Sequence, residues 1–232
     1  MVTAAYIIIM MKMSKKKIIV VTGGIGSGKS EFCRVLERKY GLPVYDADSR
    51  AKKLYSSHPT LLNEIEAALG AELRDSEGRF VPKKLAGLIF QDADALAKVE
   101  NLLFPALMED FRSWEAEQQS GTVIFESATI LEKRQFTDFG DYVVLIDAPY
   151  LLRLERASRR DNAPKEAIIA RMNRQSLMNL YSQLNAEDSP IFDANYIRLT
   201  SGRKIDRIIN NFTDNKEELE ELATEFYENL NK

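Results

Sequence analysis

The sequence predicts an α/β fold: a parallel five-stranded sheet with helices on both faces and a helical block inserted between two strands. Short runs rich in β-branched residues alternate with segments of helical periodicity, which is the pattern of parallel sheets. From about Thr60 to Gln119, apolar residues instead recur at helical spacing, as in Leu61, Leu62 and Ile65. This stretch predicts the helical insertion.

Hydrophobic runs mark the strands. Ile18–Val21 ends at a glycine cluster and Tyr142–Ile146 ends at Asp147, so both have the profile of buried parallel strands. A weaker run near the end of the chain, Tyr196–Leu199, predicts the last strand. The five predicted strands are residues 18–21, 43–45, 122–125, 142–146 and 196–199.

Helical segments follow the strands. After the first strand, Phe32, Leu36 and Tyr40 share one face, and Gly41 supplies a stop before Pro43. Further along, Asn162 with Pro164 predicts a helix start. Helices are also predicted over residues 154–160, 205–212 and 216–232, the last one amphipathic.

Composition excludes several classes of function. The 232 residues carry 32 Lys+Arg against 35 Asp+Glu, a net charge of −3, so we expect neither nucleic acid nor an anionic membrane as partner. Cys33 and His58 are the single cysteine and histidine, which excludes a disulfide framework, a zinc cluster and Ser-His-Asp chemistry. We therefore expect a cytoplasmic protein.

An apolar run, residues 4–11, precedes the first strand. It is shorter than the about 20 apolar residues that a membrane-spanning helix needs. The positively charged residues follow this run, whereas in a signal peptide they precede it. Met10, Met11 and Met13 lie just before the first strand, and we expect translation to start at one of them.

The segment Gly23–Ser30 fits the phosphate-binding pattern G-x-x-x-x-G-K-[ST] between a predicted strand and a predicted helix. Its glycines let backbone N–H groups surround phosphate oxygens, Lys29 reaches the β- and γ-phosphates, and the Ser30 hydroxyl ligates Mg²⁺. The motif predicts a fold of the P-loop nucleoside triphosphate hydrolase type. The residues predicted to bind ATP here are Gly24, Ile25, Gly26, Ser27, Gly28, Lys29, Ser30 and Glu31.

Carboxylates follow two of the predicted strands. Asp46 and Asp48 come at the carboxyl end of the second strand, where open α/β sheets bind ligands. Either can accept the proton of an acceptor hydroxyl or hold Mg²⁺ through water; the alternative is that they cap the following helix. Glu126, after the third strand, either joins the Mg²⁺ water shell or is a polar strand end.

These motifs resemble the dephospho-coenzyme A kinases. Thr22–Ser30 matches T-G-G-I-G-S-G-K-S, Asp46–Asp48 matches D-A-D, Arg156–Asp161 matches R-x-x-x-R-D and Arg171–Gln175 matches R-[IM]-x-x-Q. The resemblance extends from Ile18 to about Gly202. It implies a P-loop kinase that phosphorylates the ribose 3′-hydroxyl of dephospho-coenzyme A with ATP and Mg²⁺, the last step of coenzyme A synthesis.

The resemblance also implies roles for residues. Asp48 corresponds to the catalytic base, Thr22 lies beside the reacting phosphate, and Arg156 and Arg160 belong to a lid over ATP; a solvated basic helix face is the alternative for either arginine. The implied catalytic residues are Asp48, Lys29, Arg160 and Thr22, and the implied substrate-binding residues are Asp46, Asp48, Lys83 and Glu132. The implied domains are a nucleotide-binding core (15–58, 120–150, 190–232), an acceptor domain (59–119) and a lid (151–189).

Three segments depart from the family pattern. Ser127–Glu132, matched to V-P-L-L-x-E, keeps the glutamate but lacks the proline. Phe104 replaces the usual histidine of His-Pro, and Arg198–Gly202, matched to I-D-N-x-G, lacks its asparagine. The expected partners are ATP and dephospho-coenzyme A, while the sequence predicts no oligomeric state. The alternatives are another P-loop small-molecule or nucleotide kinase, and a nucleotide-binding regulator without turnover.

Overall fold

The structure is a computed structural model that describes residues 16–133, 136, 138–175 and 205–230, with Gln91 and Glu132 described by their backbone alone. The predicted strand at 196–199 lies outside the described residues, as do the apolar N-terminal run and the candidate start methionines. Within the described ranges, no helix is both long and apolar enough to cross a membrane.

The sheet has five strands in the order β2-β3-β1-β4-β5. β1 pairs in parallel with both β3 and β4, and β4 pairs in parallel with β5, which confirms the predicted parallel α/β architecture. Because β1 is central, the glycine-rich turn that follows it lies at the middle of the carboxyl edge of the sheet. The strands are β1 Lys17–Thr22, β2 Val44–Asp46, β3 Thr122–Glu126, β4 Tyr142–Asp147 and β5 Arg207–Asn210.

Eight α-helices are present in the described part of the chain. The first ends at Gly41, whose φ of 63° is left-handed, as the sequence predicts. Asn162, predicted to begin a helix, instead ends the preceding one with φ 47°, and Pro164 precedes the next. The helices are α1 Lys29–Tyr40, α2 Ala47–Ser57, α3 Leu61–Leu69, α4 Pro82–Gln91, α5 Ala93–Glu117, α6 Tyr150–Asp161, α7 Lys165–Met172 and α8 Lys216–Leu230.

The helix predicted over 205–212 is wrong, because this segment contains β5. Ile208 lies opposite Leu145 and Ile209 opposite Ile146 of β4. Ile209 is buried in the core with residues of β1, α1 and α8. A four-residue run is too short for its periodicity to distinguish a strand from a helix, and the pairing with β4 decides its conformation.

The described chain divides into two compact units. The sheet unit contains Lys15–Val44 and Gln119–Lys232, and the helical unit contains Tyr45–Gln118. In the sheet unit, α8 packs on α1, with the rings of Phe32 and Phe226 5.5 Å apart. In the helical unit, α2, α3 and α4 pack on the long helix α5. The predicted division into core, acceptor domain and lid stays a prediction.

Candidate active site

The turn between β1 and α1 is the expected phosphate-binding loop. Thr22, at the end of β1, is 1% exposed, and Gly28 is the residue before α1. Gly26 and Gly28 have φ of 79° and 97°, in the left-handed region. A Cβ on Gly26 would overlap the carbonyl oxygen of Arg153, and one on Gly28 would overlap the Asn211 amide. The close approach and the backbone conformation therefore both require glycine at these two positions.

Two buried amide side chains hold this loop. Gln175, 3% exposed, accepts a hydrogen bond from the Ile25 N–H at 2.8 Å and donates one to the Ala128 carbonyl at 3.2 Å. Asn211, which follows β5, donates from Nδ2 to the Ser27 carbonyl at 2.8 Å. The bonds to Ile25 and Ser27 join the loop to residues 150 and 184 positions away in the chain. The loop is thus fixed before any ligand binds.

Lys29, Ser30 and Glu126 come together beside the loop. The Ser30 hydroxyl donates to Glu126 Oε1 at 2.5 Å, and Lys29 Nζ lies 3.9 Å from the same oxygen. Glu126 is 5% exposed, so its charge is balanced locally by Lys29 rather than by water. A hydroxyl and a carboxylate oxygen are hard donors of the kind that Mg²⁺ prefers, so this pair fits a magnesium ion.

A cleft of about 380 Å³ opens at the loop within the sheet unit. Six cationic side chains and two carboxylates line it, so positive charge is concentrated here although the whole chain has a net charge of −3. Glu31 forms an ion pair with Arg34 at this edge. The lining residues are Gly26, Gly28, Lys29, Ser30, Glu31, Arg34, Arg156, Arg159, Arg160, Asn211, Thr213, Asp214, Asn215, Lys216 and Leu219.

Both lid arginines predicted to bind ATP line this cleft, and both are paired with carboxylates of the sheet unit. Arg156 Nε lies 3.1 Å from Asp214 Oδ1, and Arg160 Nε lies 2.7 Å from Asp161 Oδ1. Hydrogen bonds from Arg160, and then from Arg171, hold the pKa of the Asp161 carboxyl well below its usual range. Arg156, with a side chain 14% exposed, is therefore held in place by its partners, whereas the ion pair of Arg160 with Asp161 lies at the surface.

Three predicted site residues belong to the helical unit. Asp46 caps α2: its carboxylate accepts from the Ser49 N–H at 2.9 Å and from the Ser49 hydroxyl at 2.6 Å. Asp48 lies in the first turn of the same helix. Lys83 is exposed at the start of α4. The helix-cap alternative therefore applies to Asp46, while its predicted contact with substrate stays a prediction.

Tyr45 anchors the chain just before these aspartates. Its hydroxyl donates to Asp110 of α5 at 2.7 Å, and its ring packs edge-on against Phe111 with centroids 5.0 Å apart. Burial, together with the hydrogen bond to Asp110, raises the pKa of Tyr45 far above its ordinary value, so the phenol stays protonated. The start of α2 is thus held firmly within its unit.

The comparison with protein families gives one match over most of the chain. The sequence model described as CoaE, dephospho-CoA kinase, matches residues 17–188. The chain belongs to the dephospho-CoA kinase family. Among curated relatives, the dephospho-CoA kinase of Porphyromonas gingivalis is 39% identical over 152 residues, covering 66% of this chain and 74% of that protein. The enzyme of Bacteroides fragilis is 36% identical over 155 residues, with 67% and 75% covered.

Solved structures share the fold. The crystal structure of TT1252 from Thermus thermophilus superposes with a TM-score of 0.69 at 23% identity, covering 91% of this chain and 96% of that one. Dephospho-CoA kinase from Campylobacter jejuni gives a TM-score of 0.53 at 22% identity, with 93% and 98% covered. Both comparisons support the predicted P-loop kinase fold.

The departures predicted from the dephospho-CoA kinase pattern stay predictions. Residues 198–202 lie outside the described residues, while Asn211 directly follows β5 and lines the cleft. Phe104, predicted to replace the family histidine, is 8% exposed within α5. The matched glutamate, Glu132, lies in a short 3₁₀ helix, and its side chain is outside the description.

Sequence reasoning missed three contributors to this candidate site. Gln175 closes the matched string R-[IM]-x-x-Q, but its contact with Ile25 spans 150 residues and no local pattern reveals it. Asn211 and Asp214 follow β5, a segment that the sequence predicts as a helix, and identifying this strand is the signal that brings both residues to the cleft.

Proposed function

We propose that the protein transfers the γ-phosphoryl group of ATP to the ribose 3′-hydroxyl of dephospho-CoA, giving CoA and ADP. Membership of the dephospho-CoA kinase family supports the acceptor. The observation that carries the proposal is the grouping of Lys29, Ser30 and Glu126 beside a preformed phosphate-binding loop.

The loop and Lys29 bind the triphosphate. Backbone N–H groups between β1 and α1, with the positive end of the α1 dipole, stabilise phosphate oxygens, and Lys29 neutralises charge on the β- and γ-phosphates. Phosphoryl transfer depends on positioning and charge stabilisation more than on covalent chemistry, so a fixed loop suits the reaction. Thr22, which is buried at the end of β1, is proposed to lie beside the reacting phosphate.

Ser30 and Glu126 are the residues that we propose hold Mg²⁺. The hydroxyl binds directly, and the carboxylate orients the hydroxyl or a water molecule. A Mg²⁺ ion held by these residues would supply positive charge that reduces the repulsion between the triphosphate and the acceptor. The 2.5 Å contact between Ser30 and Glu126 supports this pairing.

Asp48 is proposed as the general base. As the 3′-oxygen bonds to the γ-phosphorus, the bond from that phosphorus to the β–γ bridging oxygen breaks, ADP leaves, and Asp48 takes the hydroxyl proton. Asp46, by capping α2, fixes the turn that carries Asp48. Lys83 and Glu132 are proposed substrate contacts. Arg156 and Arg160 are proposed to contact the ATP phosphates and to exclude water.

The test is a comparison of acceptors. ADP release is measured with Mg·ATP and, in turn, dephospho-CoA, nucleoside monophosphates, shikimate and no acceptor. We expect dephospho-CoA to raise kcat/KM at least about a hundredfold over every other acceptor. Equal or better turnover with another acceptor would instead assign the protein to a different kinase class, and ATP binding without any turnover would make it a regulator. We propose that it acts in the cytoplasm, where ATP is available.

A further inference from the structure

Arg156 is surrounded by acceptors from the segment that follows β5. Its Nη1 donates to the Asn211 carbonyl at 3.4 Å and its Nη2 lies 3.5 Å from Asn211 Oδ1. Nη2 also donates to the Thr213 carbonyl, and Nε donates to Asp214 Oδ1 at 3.1 Å. Three of these acceptors are neutral oxygens. Asp214 is the one that carries charge.

Asp214 also binds a second arginine of α6. Arg159 Nη2 lies 2.6 Å from Asp214 Oδ2, so the two carboxylate oxygens serve two different guanidinium groups one helical turn apart. The bonds from Arg159, and then from Arg156, lower the pKa of the Asp214 carboxyl, so it stays ionised at neutral pH. A single carboxylate thus links α6 to the segment that precedes α8.

The same segment is joined to the phosphate-binding loop. Asn211 donates to the Ser27 carbonyl, and its amide lies where a Cβ on Gly28 would be. A continuous series of hydrogen bonds therefore runs from Ser27 through Asn211 and Arg156 to Asp214. Its members Asn211, Arg156 and Asp214 all line the cleft.

We propose that Asp214 is a positioning residue for ATP binding, which holds Arg156 in the orientation that faces the triphosphate. The inference rests on the proposed function for the identity of the nucleotide. Arg156 has a side chain only 14% exposed, so its orientation is set by these acceptors. Removing the charged acceptor leaves the guanidinium with neutral partners, and it then reorients more easily.

Asp214 also has an opposing effect, since its negative charge repels the triphosphate. That repulsion is weak: its charge is neutralised by two adjacent arginines, and beyond contact distance it is screened within about 8 Å at physiological salt. The hydrogen bonds to Arg156 and Arg159 act at contact distance. Positioning therefore outweighs repulsion, and loss of the carboxylate weakens ATP binding.

The test compares Mg·ATP dissociation constants by calorimetry at physiological ionic strength, without an acceptor. We expect Asp214→Asn to raise Kd about tenfold, and Asp214→Glu, which keeps the charge, to recover most of the affinity. KM for ATP should rise in parallel, with kcat at saturating ATP changed less than about threefold. The matched control is Glu225→Gln, because Glu225 pairs with Arg207 at 3.1 Å in the same unit but does not line the cleft. The Kd of this control variant for Mg·ATP should stay within about twofold of that of the parent protein.

Arg156→Ala supplies the second arm. If Asp214 acts through Arg156, the double variant Asp214→Asn, Arg156→Ala should have the same Kd for Mg·ATP as Arg156→Ala alone. The proposal is overturned if Asp214→Asn leaves Kd unchanged or lowers it, if the two losses add fully, or if the control loses as much. Asp214 is half exposed, so the variant should fold, and Asp214→Ser gives the same comparison if it does not. Because the calorimetry uses no acceptor, a failure to phosphorylate dephospho-CoA would refute the proposed function without changing the comparison of dissociation constants.

Discussion

Replacing Gln175 by methionine tests whether the phosphate-binding loop is held in advance by its distant contacts. Methionine keeps the length and volume of the side chain but loses the bonds to the Ile25 N–H and the Ala128 carbonyl. Ile25 and Ala128 are partly buried, so water replaces the lost bonds incompletely and each costs about 1 kcal/mol. The total, about 2 kcal/mol, corresponds to a fall in Tm of roughly 4–8 °C for a chain of this size.

The assay is thermal unfolding with and without Mg·ATP, together with the Kd for ATP. We expect Gln175→Met to lower Tm by that amount and to weaken ATP binding several-fold, since the Ile25 N–H belongs to the loop. The matched control is Gln119→Met, because Gln119 is exposed in the same unit, and it should change neither quantity. A Tm within about 1 °C of the parent protein, with unchanged Kd, would show that Gln175 does not hold the loop.

Three further predictions address catalysis, metal binding and charge. Asp48→Asn should lower kcat by about 10²–10⁴-fold with the Kd for ATP within twofold; retained turnover in the ADP-release assay would exclude Asp48 as the base. Glu126→Gln should raise the Mg²⁺ concentration for half-maximal activity at least about tenfold, measured by titrating Mg²⁺ at fixed ATP, and an unchanged midpoint would remove Glu126 from the metal site. Asp161→Asn should lower Tm at pH 7 by no more than about 3 °C, because its ion pairs are largely exposed. Arg160 and Arg171 lower the folded-state pKa of Asp161. The higher Tm of the parent protein should therefore be fully present above about pH 4 and should fade as the pH falls further. A Tm difference between the two proteins that grows in acid would contradict this.

The elements with strong local signals could be predicted from the sequence. β1 and β4 are apolar runs bounded by Gly23 and by Asp147, and both occur as predicted. The glycine-rich loop was identified because its backbone geometry restricts the residue types, and the positive φ of Gly26 and Gly28 shows that restriction directly.

The features that the sequence did not reveal depend on partners distant in the chain. β5 is a strand because Ile208 and Ile209 pair with β4, and a four-residue run has no decisive periodicity of its own. Because the sequence predicts a helix over this segment, Asn211 and Asp214 are absent from the predicted site. Whether Asp46 caps α2 or contacts a ligand depends on where the Ser49 N–H lies, which only the folded backbone determines.

The most direct measurement follows the γ-phosphoryl group itself. The protein is incubated with Mg²⁺, dephospho-CoA and ATP labelled in the γ-phosphate, and the products are separated and located by mass spectrometry and phosphorus NMR. The account predicts that the label appears on the ribose 3′-oxygen of CoA, in equal amount to the ADP formed. Label that appears in inorganic phosphate or on another acceptor, with no labelled CoA, would contradict it.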